Sequence, residues 1–384
     1  MTLLSCIDTL SDVPAAAWDA HVPADQPFLS HAFLLALEQS ASVAAGTGWQ
    51  PAHALLTHND GSLLAAMPGW QKLHSRGEYV FDQGWAEAAQ RAGLPYYPKW
   101  LSAVPFSPIA GPRLLGTADA AVELLAQLPT HPAWAGYSGL HVNFTNAAND
   151  MLLAADSRWL HRRDCQYRWQ NRGYTDFEQY LAQLTADRRK KIRQERKKLA
   201  AAGLSYVWRF GGDCDAALQH RLYACYANTY FVRGQQPYLT SAFFAQIFTT
   251  LPQLVQVLCV ERHGEVIAMA LYLAGDKTLY GRYWGALEDV PLLHFEACLY
   301  QGIERAIAGG LQAFDAGAQG EHKLIRGFEP VLTSSWHLLR HAGLHAAVAD
   351  FLQREGEEVV RYQQAARTAC PLKASGLTSV VADR

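Results

Sequence analysis

The sequence has no long uninterrupted run of apolar residues, and it starts without the basic residues and apolar core of a signal peptide. We therefore expect no membrane span and a cytoplasmic location. An excess of either charge is also missing, because 33 Lys and Arg stand against 35 Asp and Glu, for a net charge of -2. This balance excludes a partner bound through overall charge, so we expect no DNA and only local contact with any tRNA.

The seven cysteines are odd in number, scattered, and never spaced as CxxC. That pattern favours reduced thiols over disulfides or a zinc site. No spacing of histidine, cysteine and carboxylates is typical of a metal site, and we expect no metal.

The length of 384 residues predicts two domains, which we place at 1–160 and 161–384. Both halves have the order hairpin, strand, glycine, helix, strand, with hairpin turns at Asn59–Gly61 and His263–Gly264. This order predicts a mixed α/β (α+β) fold with two copies of one unit, each a central mixed sheet flanked by helices. We expect residues 1–45 to be mainly helical.

The same short motif ends a predicted strand in each half, as Arg113 with Gly116 and Arg282 with Gly285. The first copy, RLLGTA, fits the phosphate-binding pattern of the acyl-CoA-dependent N-acetyltransferases of the GNAT superfamily, and the second departs from it at Leu287. Glycine lets a backbone approach a pyrophosphate, and the helix that follows offers free amides. The motif predicts binding of CoA at Arg113 and Gly116, with a plain strand-to-helix turn as the alternative.

A basic run lies between the halves, where eight of the eleven residues from Arg188 to Lys198 are Lys or Arg. One interpretation is a solvated helix face. The other is a basic helical arm over 187–198 that binds phosphates of coenzyme A or of a tRNA acceptor end, with Arg188, Arg189 and Lys190 in contact with the donor.

A dense group of polar residues follows the last predicted buried strand, LQAFDAG, in the segment AQGEHKLIRGFEP. Packing alone gives little reason for so many polar side chains next to a buried strand. The segment therefore predicts a functional site.

Several longer motifs together resemble one family. They are EYVFDQGWAEAAQRAGLPYYPKW, VPFSPIAGPRLL, HVNF, DRRKKIRQERKK, LYGRYWGA, HFEACLYQGIERAI and AGAQGEHKLIRGFEP. With them the chain resembles the bacterial N-acyltransferases related to the Fem peptidyltransferases of peptidoglycan synthesis. The resemblance implies tandem GNAT-like domains and transfer of an acyl or aminoacyl group to an amine. It departs from the family at Asp315, where Glu is usual.

Such a reaction needs a proton acceptor, since an alkylamine with a pKa of about 10 is mostly protonated at neutral pH. We favour Glu321 and His322, because glycines flank their segment. We expect Lys323, Arg326 and Gln319 to bind the substrate, the first two through its carboxylate or phosphate.

Three other residues are candidate proton acceptors, each with a structural alternative. His294 and Glu296 open a predicted helix and could instead cap or pack it. Asp315, inside a predicted strand, could instead pair with an arginine.

Two further groups are candidates for binding substrate. Arg282, Tyr283 and Trp284 end a strand and could form a pocket wall or part of the core. Asp82 and Trp85 lie in an aromatic insertion of the first half and could close over the acceptor, or be ordinary turn and core residues.

Two classes of function stay open at this point. The first is an enzyme that uses acyl-CoA or aminoacyl-tRNA as co-substrate and a small-molecule or peptide amine as acceptor, by direct transfer. The second is a degenerate GNAT pair that binds a peptidoglycan fragment or tRNA without turnover.

Overall fold

The computed structural model of the protein describes residues 1–318 and 320–373. Its strands, in chain order from β1 to β15, are Thr2–Ile7, Trp49–Pro51, His53–His58, Leu63–Met67, Trp70–Lys72, Lys99–Ser102, Leu115–Gly116, Gly139–Thr145, Leu160–Gln170, Leu204–Phe210, Val255–Arg262, Glu265–Ala274, Thr278–Ala286, Ala313–Asp315 and Glu329–Leu339.

The helices α1 to α13 are Ala15–Asp19, His31–Gln39, Gln83–Arg91, Ala118–Gln127, Ala147–Ala154, Phe177–Gln183, Ala186–Ala200, Ala216–Phe231, Ser241–Thr250, Leu293–Phe295, Gln301–Ala308, Glu321–Leu324 and Ala342–Ala369. A π-helical turn, Glu296–Tyr300, joins α10 to α11. Short 3₁₀ helices span Leu10–Asp12, Pro27–Leu29, Ala45–Thr47, Pro132–Trp134 and Gly211–Asp213.

The chain divides into two units, and each takes residues from more than one part of the sequence. The first unit comprises Met1–Cys165, Tyr238–Leu251 and Leu332–Arg361. The second comprises Gln166–Pro237, Pro252–Val331 and the chain from Tyr362 onward. The division at 160/161 stays a prediction, and it does not anticipate the two later segments that join the first unit.

The first unit contains two sheets. In one, β1-β3-β4-β7 are antiparallel neighbours, and the hairpin predicted at Asn59–Gly61 joins β3 to β4. The other has the order β15-β8-β6-β5-β2, in which β6 and β8 are parallel. Trp100, Trp134 and Trp336 are buried in its core.

The expectation that residues 1–45 are mainly helical is wrong at the start of the chain. Thr2–Ile7 forms strand β1 and pairs with β3 over its whole length, from Thr2 opposite His58 to Ile7 opposite His53. The backbone hydrogen bonds of this segment are thus made with residues about fifty positions away, which local periodicity does not reveal.

The second unit is built on a sheet with the neighbours β10-β11-β12-β13-β14-β9. The hairpin predicted at His263–Gly264 joins β11 to β12, and β13 is parallel to β14. Tyr272, Leu279, Tyr300 and Phe314 are buried in the core beneath this sheet.

The two units repeat one arrangement of strands. Within the described residues each unit has a parallel pair of strands, β6 with β8 and β13 with β14, joined by a crossover that contains a helix, and an antiparallel strand completes each pair on its far side. This topology agrees with the predicted duplication, and the mixed sheets with flanking helices confirm the predicted fold class. No helix within residues 1–318 and 320–373 has the length and apolarity that a membrane crossing requires.

Candidate active site

Strands β13 and β14 part in the middle of the second unit's sheet. Their pairing runs from Thr278 opposite Ala313 to Tyr280 opposite Asp315, whereas β13 continues to Ala286. At the same level a bulge interrupts the pairing of β12 with β13, between Leu271 and Tyr272. Bulges bend a strand and redirect its side chains, so the sheet opens here into a cleft.

The opening holds a cavity of about 90 Å³. Its wall includes Arg282 and Trp284 from β13, His294 and Cys298 from the following helix, and Ala316 after β14. A larger groove of about 600 Å³ adjoins it, and Trp284 and His294 line both. The two residues therefore stand where the cavity meets the groove, a position that a reacting group bound in either space can reach.

His294 is a neutral imidazole in this environment. Although the residue is exposed, partial desolvation lowers its pKa, and the neighbouring His322, Lys323 and Arg326 act in the same direction. Its ring meets the Trp284 ring edge-on, with the centroids 5.5 Å apart. A neutral histidine in a cleft has a nitrogen able to accept a proton at neutral pH.

The predicted pair Glu321 and His322 separates on the short helix α12. The His322 ring lies 6.1 Å from the His294 ring, centroid to centroid, and burial lowers its pKa. Glu321 is exposed and accepts a hydrogen bond of 3.1 Å from the Tyr362 hydroxyl. The structure therefore brings His322 and His294 together, while Glu321 lies at the surface beside Tyr362.

Lys323 is buried next to the end of β14. Burial lowers its pKa to about 8, Asp315 opposes the shift, and Arg282 adds to it. Its ammonium donates to the carbonyl of Gly317, and Asp315 accepts from the Gly317 amide at 2.9 Å. Asp315 also lies 3.5 Å from Nη2 of Arg168. Lys323 and Asp315 thus fix the backbone where the two strands part, and Gln319 lies outside the described residues.

The guanidinium of Arg326 is occupied inside the protein. It donates to the Tyr300 hydroxyl at 2.7 Å, to the His322 carbonyl at 2.9 Å, and to both carboxylate oxygens of Glu195 at 3.0 and 3.2 Å. It also lies 3.8 Å from the centre of the Phe295 ring. The predicted contact of Arg326 with a substrate anion gains no support from this geometry, which instead anchors the backbone at His322.

Glu296 points away from the cavity, toward helix α7. It is 2% exposed and accepts hydrogen bonds from Arg196 at 2.9 and 3.1 Å and from Gln301 at 2.9 Å. Residues two positions apart on a helix point about 200° apart, so Glu296 and His294 face different sides. This arrangement supports the structural alternative for Glu296, an anchor for the basic helix.

The basic run forms α7, as expected, and its cations divide into two sets. Arg193 and Arg196 form ion pairs with carboxylates, Arg193 with Glu178. By contrast, no carboxylate of the described chain lies within 4 Å of Lys190, Lys191, Lys197 or Lys198, all of which are exposed. Arg188 and Arg189 are half-buried. One set of cations on α7 therefore forms ion pairs within the protein, and the exposed lysines form a second set that can contact an anion.

Arg113 and Gly116 lie in the first unit, where packing accounts for both. Arg113 is fully buried and donates to the carbonyls of Asn143 at 2.9 Å, Pro112 at 3.0 Å and Ile109. At Gly116 (φ +122°) a Cβ would lie 2.4 Å from the carbonyl oxygen of Leu64. The predicted phosphate contact at these residues stays a prediction without support from the geometry.

The glycine of the second motif copy has a similar role. A Cβ on Gly285 would lie 1.9 Å from the carbonyl oxygen of Cys225, because α8 packs directly on β13 there. Tyr283 is buried in the same layer, with its ring 5.6 Å from that of Tyr226. Of the predicted strand-end residues, only Arg282, Tyr283 and Trp284 line the cavity, and Tyr283 does so as part of the core.

Asp82 and Trp85 belong to a buried network in the first unit. Lys99, which is fully buried, donates to Glu78 at 2.8 Å, to Ser75 at 2.9 Å and to Asp82. Trp85 packs edge-on against His337, with the ring centroids 4.8 Å apart. The predicted substrate contacts of Asp82 and Trp85 stay predictions, since both side chains are buried here.

Sequence reasoning missed the part played by Glu195 and Lys99. Glu195 is the one acidic residue between Arg188 and Lys198, and a lone acidic residue in a basic run indicates an internal ion pair. Lys99 carried no comparable signal, because its carboxylate partners lie 17 and 21 positions away.

The family that the sequence matches identifies the protein as a transferase. The chain belongs to the FemAB-like family, described as peptidoglycan biosynthesis/recognition, whose sequence model matches residues 9–374.

Solved structures share the fold at low sequence identity. FemX is 10% identical, with a TM-score of 0.50 over 90% of this chain and 100% of its own. A conserved protein of unknown function from Bacteroides thetaiotaomicron is 11% identical, with a TM-score of 0.52 over 88% of this chain and 100% of its own. The C-terminal domain of a candidate lysylphosphatidylglycerol synthetase from Agrobacterium fabrum is 11% identical, with a TM-score of 0.51 over 88% and 95%. No curated protein matches the chain.

Proposed function

We propose that the protein is an N-acyltransferase that moves an acyl or aminoacyl group directly from its donor to an amine in the second unit's cleft. The observation that carries the proposal is the position of His294, a neutral imidazole on the wall shared by the cavity and the groove. Two adjoining spaces suit a reaction that brings two substrates together. Membership of a family described by peptidoglycan biosynthesis supports a peptide or small-molecule amine of that material as acceptor.

The transfer replaces one bond to the carbonyl carbon by another. The amine nitrogen attacks, the C–N bond forms, and the C–S bond of a thioester or the C–O bond of an aminoacyl ester breaks. The attacking nitrogen loses a proton, which His294 accepts and returns to the leaving thiolate or alkoxide.

Two other groups complete the proposed site. His322, 6.1 Å from His294 between ring centroids, is the second candidate proton acceptor. Arg282 brings a permanent positive charge to the cavity wall, where it would stabilise the oxyanion that forms on the carbonyl during attack. Lys323 and Asp315 act as positioning residues, because they hold the backbone at Gly317 beside the opening.

The donor is acyl-CoA or aminoacyl-tRNA, and both carry phosphates that the exposed lysines of α7 could meet. A donor at a hundred times its dissociation constant adds ~2.7 kcal/mol to stability, which a thermal shift detects. CoA, an acyl-CoA and a charged tRNA are therefore to be tested in parallel. Stabilisation by one of them, followed by single-turnover transfer to an amine, would identify the donor.

Replacement of His294 tests the mechanism. General acid-base catalysis typically contributes on the order of 10² to 10⁴ in rate, so His294→Ala should lose at least about 100-fold in turnover with donor affinity retained. His220→Ala, an exposed histidine on α8 of the same unit, is the matched control and should turn over as the wild type does. Full activity of His294→Ala would remove this residue from the mechanism and leave His322→Ala as the next test.

The thermal-shift titration, extended to a peptidoglycan fragment and to uncharged tRNA, tests the non-catalytic alternative. A protein that is stabilised by a peptidoglycan fragment or by uncharged tRNA, yet transfers no group from any donor, would be a binding module and not an enzyme.

A further inference from the structure

A groove of about 700 Å³ runs along helix α13 in the first unit. One wall is a single face of α13, and the other is the start of strand β9. The lining residues, all of the first unit, are Leu160, His161, Arg163, Ala349, Leu352, Gln353, Gly356, Glu357, Val360 and Arg361. This volume is within the ordinary range for small-molecule sites, about 300 to 1,000 Å³.

The floor of the groove is apolar and held in place. Leu352 and Val360 repeat at helical spacing along α13 and face Leu160 of β9. His161 is fixed beside them, because its ring stacks on Trp336 at 4.3 Å with an interplanar angle of 9°, and its Nε2 lies 3.0 Å from the Ser334 hydroxyl. A ligand with an apolar body would therefore meet a pre-formed surface.

Gly356 keeps the groove open. It lies inside a 28-residue helix, a place where glycine is among the least favourable residues. No packing requirement explains it, since a Cβ built on Gly356 would meet no atom within 4 Å. The space beside this glycine is the groove itself, so the missing side chain leaves room for something bound there.

The rim of the groove carries positive charge that the protein leaves exposed. Arg163 and Arg361 are both exposed, and neither lies within 4 Å of a carboxylate of the described residues. The adjacent Arg162, on the opposite face of β9, is instead bound to Glu355 through two hydrogen bonds of 2.7 and 2.8 Å. Glu357 is the single acidic residue on the groove, against two guanidinium groups.

We propose that this groove binds an amphipathic anion, that is, an apolar chain with a phosphate or carboxylate head. The chain would lie on the leucine and valine floor past Gly356, and the head would be met by Arg163 and Arg361. Guanidinium groups bind phosphate and carboxylate alike, so the rim itself accommodates either head.

The test is a titration of the full-length protein with four probes, each below its micelle concentration. Decyl phosphate and decanoate carry both a chain and a charge, decanol carries the chain alone, and inorganic phosphate carries the charge alone. We expect at least one charged amphiphile to bind at least tenfold more tightly than decanol and than inorganic phosphate. A preference between decyl phosphate and decanoate would tell a phospholipid-like ligand from a fatty acid.

Two variants locate the binding. Gly356→Leu fills the groove without backbone strain and should weaken binding at least tenfold while the melting temperature stays the same or rises. The double variant Arg163→Gln, Arg361→Gln should lose the preference for the charged probes. Arg354→Gln, also on α13 but outside the groove lining, is the matched control and should bind as the wild type does.

Three results would overturn the proposal. The first is no binding of either charged amphiphile by the wild-type protein. The second is equal affinity for decanol, which would remove the role of the arginines. The third is unchanged affinity of Gly356→Leu, which would place the binding elsewhere.

Discussion

Replacement of Lys99 by methionine should destabilise the first unit severely. Lys99 is fully buried and is shared by two carboxylates, those of Glu78 and Asp82, which are 3% and 1% exposed. Burial alone would raise the pKa of Asp82, but Lys99 and His141 hold it well below its ordinary value. Methionine keeps the apolar volume and removes the charge together with its hydrogen bonds, so the variant isolates the polar part of the network.

The size of the stability loss follows from the two buried carboxylates that remain without Lys99. Removal of one partner from a buried ion pair costs about 3 to 5 kcal/mol, because the remaining charge is then uncompensated. Here two carboxylates would be left with Lys72, whose Nζ lies 3.8 Å from Oε1 of Glu78 and whose pKa burial lowers to about 6, so that it compensates little charge at pH 8. We therefore expect a loss at the upper end of that range at pH 8.

The assay is urea unfolding of Lys99→Met and wild type at pH 8 and pH 5. Without Lys99, burial keeps the folded-state pKa of both carboxylates above the unfolded values, as it already raises the pKa of Glu78 to about 7. The folded variant then binds more protons than its unfolded chain, so its unfolding free energy rises as the pH falls. The difference from wild type should shrink at pH 5, and Arg91→Met, an exposed cation of the same unit, should show no such effect. A loss below about 1 kcal/mol, or one independent of pH, would refute the reasoning.

Three further predictions concern the second unit. Gly285→Ala should lower the unfolding free energy by about 1 to 3 kcal/mol in urea titrations, since its Cβ would overlap the backbone of α8; wild-type stability would contradict the close packing. The folded-state pKa of His294 is lowered below its unfolded value, so stability should fall as the pH falls through that range, by an amount that solvent keeps small because the residue is exposed. His294→Phe should remove that part of the pH slope, and an unaltered slope would contradict it. Neutralising Arg188, Arg189 and Lys190 together should weaken donor binding and flatten its dependence on salt, and an unchanged salt slope would identify α7 as a solvated face.

Local signals in the sequence predicted much of the second unit. The turn at His263–Gly264, the glycines that end the helix after His294, and the apolar strand at Ala313–Asp315 all depend on neighbours in sequence. The strand Thr2–Ile7 could not be found in this way, since its partner is β3.

The candidate site was predicted less completely, because it depends on the orientation of each side chain as well as on the position of the residue in the sequence. His294, Arg282 and Trp284 do meet around one cavity. Glu296 is two residues from His294 and yet faces Arg196. Sequence identifies polar residues in a segment, but it does not say toward which neighbour each one turns.

The motif glycines show a second limit. Gly116 fits a phosphate-binding pattern and Gly285 stands at the same place in the incomplete second copy, and in the structure each permits the close approach of another backbone, at Leu64 and at Cys225. Phosphate binding and close backbone packing both require a residue without a Cβ, so a sequence motif alone cannot distinguish them.

The wide turn at Glu296–Tyr300 has a structural consequence. Such turns amount to one extra residue within an α-helix, and one residue corresponds to about 100° of rotation. Deletion of a single position, for example Ala297, would restore a regular helix and swing His294 out of register with the half of the helix after it. The part of the helix that carries His294 and the part that follows the turn therefore owe their relative orientation to one residue, and a one-residue deletion offers a way to change it.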